Sequence, residues 1–307
     1  MKEFELIARL VAGLPSNNAV VAGPGDDCAV LDLGIPGQRL LFKTDAVVEG
    51  VHFTRETPPA LVGRKALARC LSDIAAMAGE PTHAVVTLGL PKGYDPDYVQ
   101  KLYDGLGDLA LQYRVGIVGG ETTTTPGGVM LSVAMLGRVK EGREVYRRGA
   151  KPGDAVFVTG ELEGSLAGHH LEFEPRLAEA QWLADHFKVH AMIDLSDGLA
   201  GDLPHLLRAS GVGAELMAKA LPISRAARLQ ARTGKPALEA ALTDGEDFEL
   251  LFTVASAVAV RLVDAWKAQF PKLRLSCIGK IMPGAGLVIR DRSGVKELSA
   301  NGYVHFA

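Results

Sequence analysis

Five short segments place carboxylates at the ends of apolar runs: Gly25-Asp26-Asp27, Thr44-Asp45, Ser72-Asp73, Gly119-Gly120-Glu121-Thr122 and Asp194-Leu195-Ser196-Asp197-Gly198. Carboxylates among glycines and hydroxyls are hard-oxygen ligand chemistry. A Mg2+ ion that bridges to phosphate takes one or two carboxylates and fills its other positions with water and substrate oxygens. Any one segment also reads as an ordinary turn or helix cap, where Gly-Asp and Ser-Asp are common. The five together, if the fold converges them, would hold several ions and imply a highly charged substrate pair, such as a nucleotide and a second phosphate.

Taken singly, the residues leave alternatives open. Asp73 borders the apolar stripe Leu67, Cys70, Leu71 and Ile74 of a predicted helix. It is either an i,i+4 partner of Arg69, worth a few tenths of a kcal/mol, or a metal ligand facing a cleft. Asp194 and Ser196 alternate at a strand end and so share a side. Asp194 directly follows Ala191-Met192-Ile193, and a buried lone carboxylate is costly unless paired or metal-bound. Asp197 is a further ligand or the cap of the helix that follows. Gly119-Gly120 lets backbone N–H groups approach a phosphate beside a metal-reaching Glu121, or makes a tight turn after a strand. Arg147-Arg148 clamps a phosphate or lies solvated in a linker. His186 and His190 have the i,i+4 spacing of a helical metal pair, with no Cys or acidic partner to complete it; His169-His170 is a weaker signal. The sequence contains neither GxxxxGK[ST] nor GxGxxG, so a nucleotide would be held through metal-bridged phosphates.

The elements that must position these groups follow from periodicity. Strand-like runs are Leu40–Phe42, Ala84–Leu90, Gly116–Val118, Val129–Leu136, Ala155–Thr159, Ala191–Leu195, Phe248–Val254, Leu275–Ile281 and Leu287–Arg290. Helical periodicity covers Leu61–Ala78, Pro96–Tyr113, Leu177–Phe187, Leu199–Ala209 and Ala257–Phe270, and an amphipathic helix is expected within Met1–Leu14. Strands often follow strands, which favours an α+β architecture with mixed or antiparallel sheets over a doubly wound one. A length of 307 residues suits two domains at ~100–200 residues each. The polar, Gly/Pro-rich stretch Arg147–Asp154 sets the expected boundary: residues 1–148 form one domain and 149–307 the other.

Composition narrows the partners. Net charge is −3, so no basic field favours nucleic acid or an anionic membrane. No apolar run approaches the ~18 residues of a membrane span. The cysteines, Cys28, Cys70 and Cys277, are scattered without CxxC, which fits a reducing cytoplasm better than a disulfide framework or a zinc site.

In order along the chain, the segments resemble the thiamine-monophosphate kinase family, within the superfamily of aminoimidazole ribonucleotide synthetase. The match runs through Gly25-Asp26-Asp27-Cys28-Ala29, Thr44-Asp45 with Glu49-Gly50-Val51-His52-Phe53, Lys65-Ala66-Leu67, Leu71-Ser72-Asp73-Ile74-Ala75-Ala76-Met77 and Gly119-Gly120-Glu121-Thr122-Thr123. It continues through Gly149–Asp154, Ile193–Gly198, Gly245-Glu246-Asp247-Phe248-Glu249-Leu250 and Gly302-Tyr303-Val304-His305-Phe306. The resemblance implies a two-domain α+β fold, a homodimer formed through the N-terminal domain, and a cleft between domains in which ATP phosphorylates thiamine monophosphate with Mg2+. It puts Asp27, Thr44, Asp45, Asp73, Asp194 and Asp197 on metal positions, with Glu121 where an Asp is usual. Arg147 and Ser196 fall on ATP contacts, beside Gly120 and Glu121 from the loop reading. His52, Glu246 and Tyr303 fall on the thiamine monophosphate site. Lys43 stands where the family commonly has serine, Asp244 replaces a usual glycine, and the chain is shortened between Gly164 and Asp194. An ammonium at position 43 could displace one ion, clamp a phosphate, or lie solvated on the outer face. The acceptor would be a phosphate monoester, so no general base is expected. Other readings are another ATP-using member of the superfamily, or a binding protein disabled at Lys43 and Glu121. Selenophosphate synthetase chemistry would want a reactive Cys in an N-terminal segment, and Met1–Gly13 has none.

Overall fold

The computed structural model describes residues 3–162, 168–230 and 235–298. In chain order the first half gives α1 (Glu3–Val11), β1 (Val20–Ala22), β2 (Ala29–Leu31), β3 (Gln38–Val48), α2 (Pro59–Ala76), β4 (Glu80–Leu90), α3 (Pro96–Gln112), β5 (Gly116–Thr124) and β6 (Met130–Lys140). The second half begins with β7 (Asp154–Thr159), α4 (His169–Glu172), α5 (Leu177–His186), β8 (Val189–Asp194), α6 (Leu199–Ser210) and β9 (Gly213–Met217). It continues with α7 (Arg225–Gln230), α8 (Ala237–Thr243), β10 (Leu250–Ala255), α9 (Ala259–Gln269), β11 (Leu275–Met282), β12 (Leu287–Asp291) and β13 (Gly294–Glu297).

Among the described residues two sheets form, ordered β1-β2-β3-β6-β4-β5 and β13-β12-β9-β11-β7-β10-β8. Each is mostly antiparallel with one parallel pair, β4–β5 in the first and β9–β12 in the second. The fold is α+β, with mixed sheets packed against helices, as expected.

The first sheet is covered on one face. Along β3, Leu41 and Val47 are fully buried whereas Phe42 is 46% exposed, the period-2 signature of a sheet with one packed face. The second sheet is buried on both at its centre, where every residue of β7 is buried. Phe157 joins a core that runs on into the first half of the chain, and Val156 and Val158 join a separate core under α6.

Helix α2 lies where the halves meet. It starts with Pro59 in its first turn, where a missing N–H costs nothing. Leu67, Leu71 and Ile74 on it are fully buried. It packs on α3 so closely that a Cβ on Gly63 would sit 1.9 Å from the Leu102 carbonyl oxygen, and one on Gly105 2.0 Å from that of Ala60. Only glycine fits there. This contact fixes the axial position of α2, and with it every charged side chain that α2 sends toward the second half.

Two expected elements extend further than their apolar cores. β3 continues through Thr44-Asp45 to Val48, and β5 runs through Gly119-Gly120-Glu121-Thr122 to Thr124. Pairing with β6 and β4 carries both strands past the point where hydrophobicity falls off. Thr44-Asp45 is therefore mid-strand, and Gly119-Gly120 is neither a phosphate loop nor a turn. Gly120 is required for packing, since a Cβ would meet the Val86 carbonyl oxygen at 1.9 Å.

Candidate active site

Three carboxylates from three places in the chain meet at the seam. Asp27 comes from the loop before β2, Asp73 from α2 and Asp194 from the end of β8. One oxygen of each lies within 4.8 Å of the others, and all three residues are buried. Loop, helix and strand each contribute one, so neither half of the chain holds the cluster alone. Ser72 closes the seam by donating its hydroxyl to Asp194 Oδ2 at 2.6 Å.

Burial dominates the electrostatics. It pushes Asp73 well above the ordinary carboxylate range, Lys43 pulling against it and the charges of Asp194, Asp45 and Asp27 adding to it. Burial likewise pushes Asp194 up to about 6, with Asp27 adding and Ser72, Lys43 and Arg147 opposing. The partners are few. Lys43 Nζ sits 2.8 Å from Asp73 Oδ1. Arg147 donates Nε at 3.1 Å to Asp27 Oδ1, and its backbone N–H goes to Asp26 at 2.9 Å. Asp27 Oδ2 is buried with no hydrogen-bond partner among the described residues. A buried carboxylate oxygen without a donor is costly. A close trio of buried carboxylates is a hard-cation ligand set, so the residues present fit Mg2+.

A second charged group adjoins the first along α2. Lys65, Arg69 and Asp73 follow at i, i+4 and i+8 and so share one helix face. Arg69 holds Asp45 with two bonds, Nε–Oδ2 at 3.0 Å and Nη2–Oδ1 at 3.2 Å, and reaches Glu246 Oε1 at 3.3 Å. Lys65 is fully buried. Its ammonium donates to Glu246 Oε2 at 2.7 Å and to the His52 carbonyl at 2.7 Å, and lies 2.8 Å from His170 Nδ1. Although burial works against it, His170, Lys65 and Arg69 hold the Glu246 carboxyl down to about 2. Burial likewise opposes the Asp45 carboxylate, and Arg69 and Lys43 overcome it, holding Asp45 below its ordinary value.

Glu246 is presented by a tight turn. Gly245, Glu246 and Phe248 all take left-handed backbone, with φ of 74°, 57° and 51°. Two non-glycine residues in that region mark stored strain, which collects at functional sites. The turn is laced to the strand end beside Asp194: the Glu246 N–H donates to the Ser196 carbonyl and that of Phe248 to the Leu195 carbonyl, each at 2.7 Å. Phe248 stacks on Phe173 with centroids 4.0 Å apart. The metal-type cluster and Glu246 are thus rigidly connected through residues 194–196.

His52 belongs to the same region. Its Nδ1 accepts the Val48 N–H at 3.1 Å, which requires that nitrogen deprotonated. Burial, then the Arg69 charge, lowers the imidazole to about 4.

The structure therefore brings Asp27, Asp73 and Asp194 together, with Asp45, Arg147, Ser196, His52 and Glu246 around them. It separates Thr44 and Glu121 from them. Strict alternation along β3 sends Thr44 to the helix-free face, where its hydroxyl lies 3.4 Å from that of Ser132. Glu121 is on the same sheet, exposed, accepting the N–H of Thr122 at 3.0 Å. Asp197 is not a helix cap: Gly198 holds the N-cap of α6, and the Asp197 N–H donates to buried Asp202 at 2.9 Å. Asp73 bonds Lys43, not Arg69. The pairing of His186 with His190 fails because α5 ends at His186. His190 lies on β8, its Nδ1 2.8 Å from Asp154 Oδ2. Tyr303 lies outside the described residues. Sequence reasoning missed Lys65, Arg69 and His170 as site residues. The signal for the first two was available: a charged stripe at four-residue spacing on an otherwise apolar helix.

Comparison with known proteins agrees with this architecture. Residues 25–139 match the AIR synthase related protein N-terminal domain, and 151–291 its C-terminal domain. The chain is 40% identical to a thiamine-monophosphate kinase of Rhodopirellula baltica over 93% of this chain and 92% of that one. It is 39% identical to that of Salmonella typhimurium over 99% and 98%. A solved structure of AaThiL complexed with AMPPCP and TMP superposes with a TM-score of 0.82 at 30% identity, covering 99% of this chain and 97% of that one. With both halves matched in order and full-length relatives this similar, the chain belongs to the AIR synthase related family, in its thiamine-monophosphate kinase branch.

Proposed function

We propose that this chain transfers the terminal phosphoryl group of ATP to thiamine monophosphate, forming thiamine diphosphate. Its relatives carry that activity in their names, and the AaThiL structure holds an ATP analogue and TMP together. The observation that carries the reading is the trio Asp27, Asp73 and Asp194, buried where the two halves meet, with an Asp27 oxygen that has no partner among the described residues.

The acceptor phosphate has a second pKa near ~6 and is mostly dianionic at neutral pH. It is already a nucleophile, so no base is needed. That accords with a site rich in acids. The barrier is electrostatic: two unit charges ~4 Å apart repel by about 4 kcal/mol at an effective dielectric near 20, and phosphates carry more than one charge each. Asp27, Asp73 and Asp194 would hold Mg2+, with Asp45 and Asp197 adjoining. Bound there, the ions supply charge neutralisation and alignment for in-line transfer. Arg147 and Ser196 are the proposed ATP contacts. Thr44, Glu121 and Gly120 lie away from this set and are left outside it. His52, Glu246 and Tyr303 are the proposed contacts to the thiamine half. Residues 1–148 would form the domain holding most of the metal set, and 149–307 the domain closing the cleft.

A homodimer through the first sheet is proposed on its helix-free face, where Phe42 is 46% and Val85 40% exposed. A cytoplasmic location is proposed from the ATP requirement and from the free thiols of Cys28, Cys70 and Cys277. No helix among the described residues is long and apolar enough to cross a membrane.

The test is direct. Purified protein with ATP, Mg2+ and thiamine monophosphate should yield thiamine diphosphate and ADP in equal amounts, read by chromatography. ATP consumption without thiamine diphosphate would defeat the assignment. Light scattering at the mass of a monomer would defeat the dimer.

A further inference from the structure

Lys43 is not a surface lysine. It shares the helix-covered face of β3 with Leu41, Asp45 and Val47. Its side chain is 24% exposed, and its ammonium is 2.8 Å from Asp73 Oδ1. Among the described residues it is the cation that pairs with Asp73, as Arg147 is the cation that pairs with Asp27. Asp194 has a hydroxyl partner in Ser72.

We propose that Lys43 is a resident cation of the carboxylate cluster, standing at Asp73 in place of a divalent ion, so that the cluster binds one ion fewer than it would without the ammonium. This rests on reading the cluster as a Mg2+ site. The charges around the trio decide the matter. With Lys43 and Arg147 present, three carboxylates meet two fixed cations; without Lys43 they meet one. A carboxylate as buried as Asp73 requires a compensating charge. A lysine supplies it on a flexible stem, as a compact point charge that needs no coordination shell. Asp27 Oδ2 and Asp194 remain available to a metal, and one oxygen of Asp73, Oδ1, is committed to the ammonium. Lys43 is thus a positioning residue: it sets how many ions the cluster takes and touches no substrate by this account.

The experiment counts ions without substrate. Mn2+ binding to the full-length protein is measured by titration calorimetry and by the loss of the free-ion electron paramagnetic resonance signal. Wild type is compared with Lys43→Ser, Lys43→Met and Lys43→Arg. The serine and methionine variants should take up one additional Mn2+, or bind with a dissociation constant lowered about tenfold or more, since a unit charge a few ångströms from the ion is gone. The arginine variant should behave as wild type. The methionine variant keeps the stem and its packing, so it separates charge from shape if the serine variant folds poorly. The same number of ions with the same affinity in all four proteins overturns the proposal. No Mn2+ binding in any of them overturns it together with the Mg2+ reading of the cluster. Failure to form thiamine diphosphate, scored separately, overturns the substrate assignment alone. As a second readout, the rate in the serine and methionine variants should rise more steeply with free Mg2+, because one more ion must bind.

Discussion

Lys65→Met is the most informative single perturbation outside the carboxylate trio. The lysine has no exposed surface, and its ammonium has the His52 carbonyl, His170 Nδ1 and Glu246 Oε2 within 2.8 Å. Removing one partner from a buried ion pair costs ~3–5 kcal/mol when the other is left alone. Glu246 is not left alone: Arg69 stays at 3.3 Å and His170 at 2.9 Å, and the glutamate side chain is 17% exposed. Methionine also fills the volume. The expected loss is therefore about 2–3 kcal/mol, mostly from the orphaned His52 carbonyl and the loosened Glu246. The two ends of the pair are not equivalent. Burial lowers the Lys65 ammonium despite Glu246, whereas the cations around Glu246 overcome its burial.

Urea unfolding and steady-state kinetics check this together. The unfolding midpoint should fall at unchanged slope. The KM for thiamine monophosphate should rise tenfold or more while that for ATP changes less than twofold, because Lys65 braces Glu246 and His52 and does not touch the trio. The pH dependence has a definite sign. Glu246 is depressed from 4.5 to about 2 in the fold, so it contributes stability above pH 4.5 that is lost as pH falls toward 2. The gap between wild type and variant should therefore narrow through that window. A midpoint shift worth less than ~0.5 kcal/mol, or equal changes in both KM values, would refute the bracing role.

Other outcomes follow from the same geometry. Asp27→Asn and Asp194→Asn should each abolish turnover while near-ultraviolet circular dichroism stays native; Mg2+-dependent activity in either removes that residue from the metal set. His52 is depressed from 6.5 to about 4, so its contribution is complete above pH 6.5 and lost as pH falls toward 4. His52→Gln should flatten stability against pH across that interval, as followed by thermal melts. Gly63→Ala, whose Cβ would meet Leu102 backbone at 1.9 Å, should destabilise by roughly 2–3 kcal/mol or more by forcing α2 from α3, measured by urea unfolding. Tyr303→Ala should raise the KM for thiamine monophosphate far more than that for ATP; equal effects would put Tyr303 outside the acceptor pocket.

Much of this was legible in the sequence because it depends on local periodicity. The amphipathic stretches at Leu61–Ala78 and Pro96–Tyr113 became α2 and α3 nearly residue for residue. The apolar run before Asp194 became β8, and the carboxylate that had no cheap local explanation proved to be a member of the trio. The short strands β1, β2 and β13 carry three or four residues each, too few for a pattern to show, and exist because longer neighbours offer an edge. Which face of a strand a ligand occupies was legible in principle, through alternation from Leu41 and Val47. That alternation was missed because the strand was expected to stop at Phe42. The family resemblance puts Thr44 and Asp45 in one site, whereas adjacent strand residues point to opposite faces. Partner choice was not legible. Arg69 reaches Asp45 and Glu246, 24 residues before it and 177 after it, and no local signal distinguishes that from the i,i+4 pairing with Asp73.

The arrangement explains why one helix matters so much to a reaction that needs no base. Phosphate attacking phosphate requires compensated charge and fixed distance, and both depend on how the two halves of the chain align. α2 sets that alignment three times over. Lys65 and Arg69 hold Glu246 across the seam, Asp73 approaches Asp194 across it, and Ser72 bonds Asp194 directly. Each contact is charged or strongly polar and buried, so a slip of one residue would leave several charges unpaired at once, at a few kcal/mol each. The apolar core shared by both halves supplies adhesion but is tolerant of small shifts, since hydrophobic burial has no direction. The polar ladder along α2 supplies the register. Lys65, Arg69 and Ser72 therefore act as positioning residues, and substitutions at them should reduce phosphoryl transfer even where the carboxylate trio is intact.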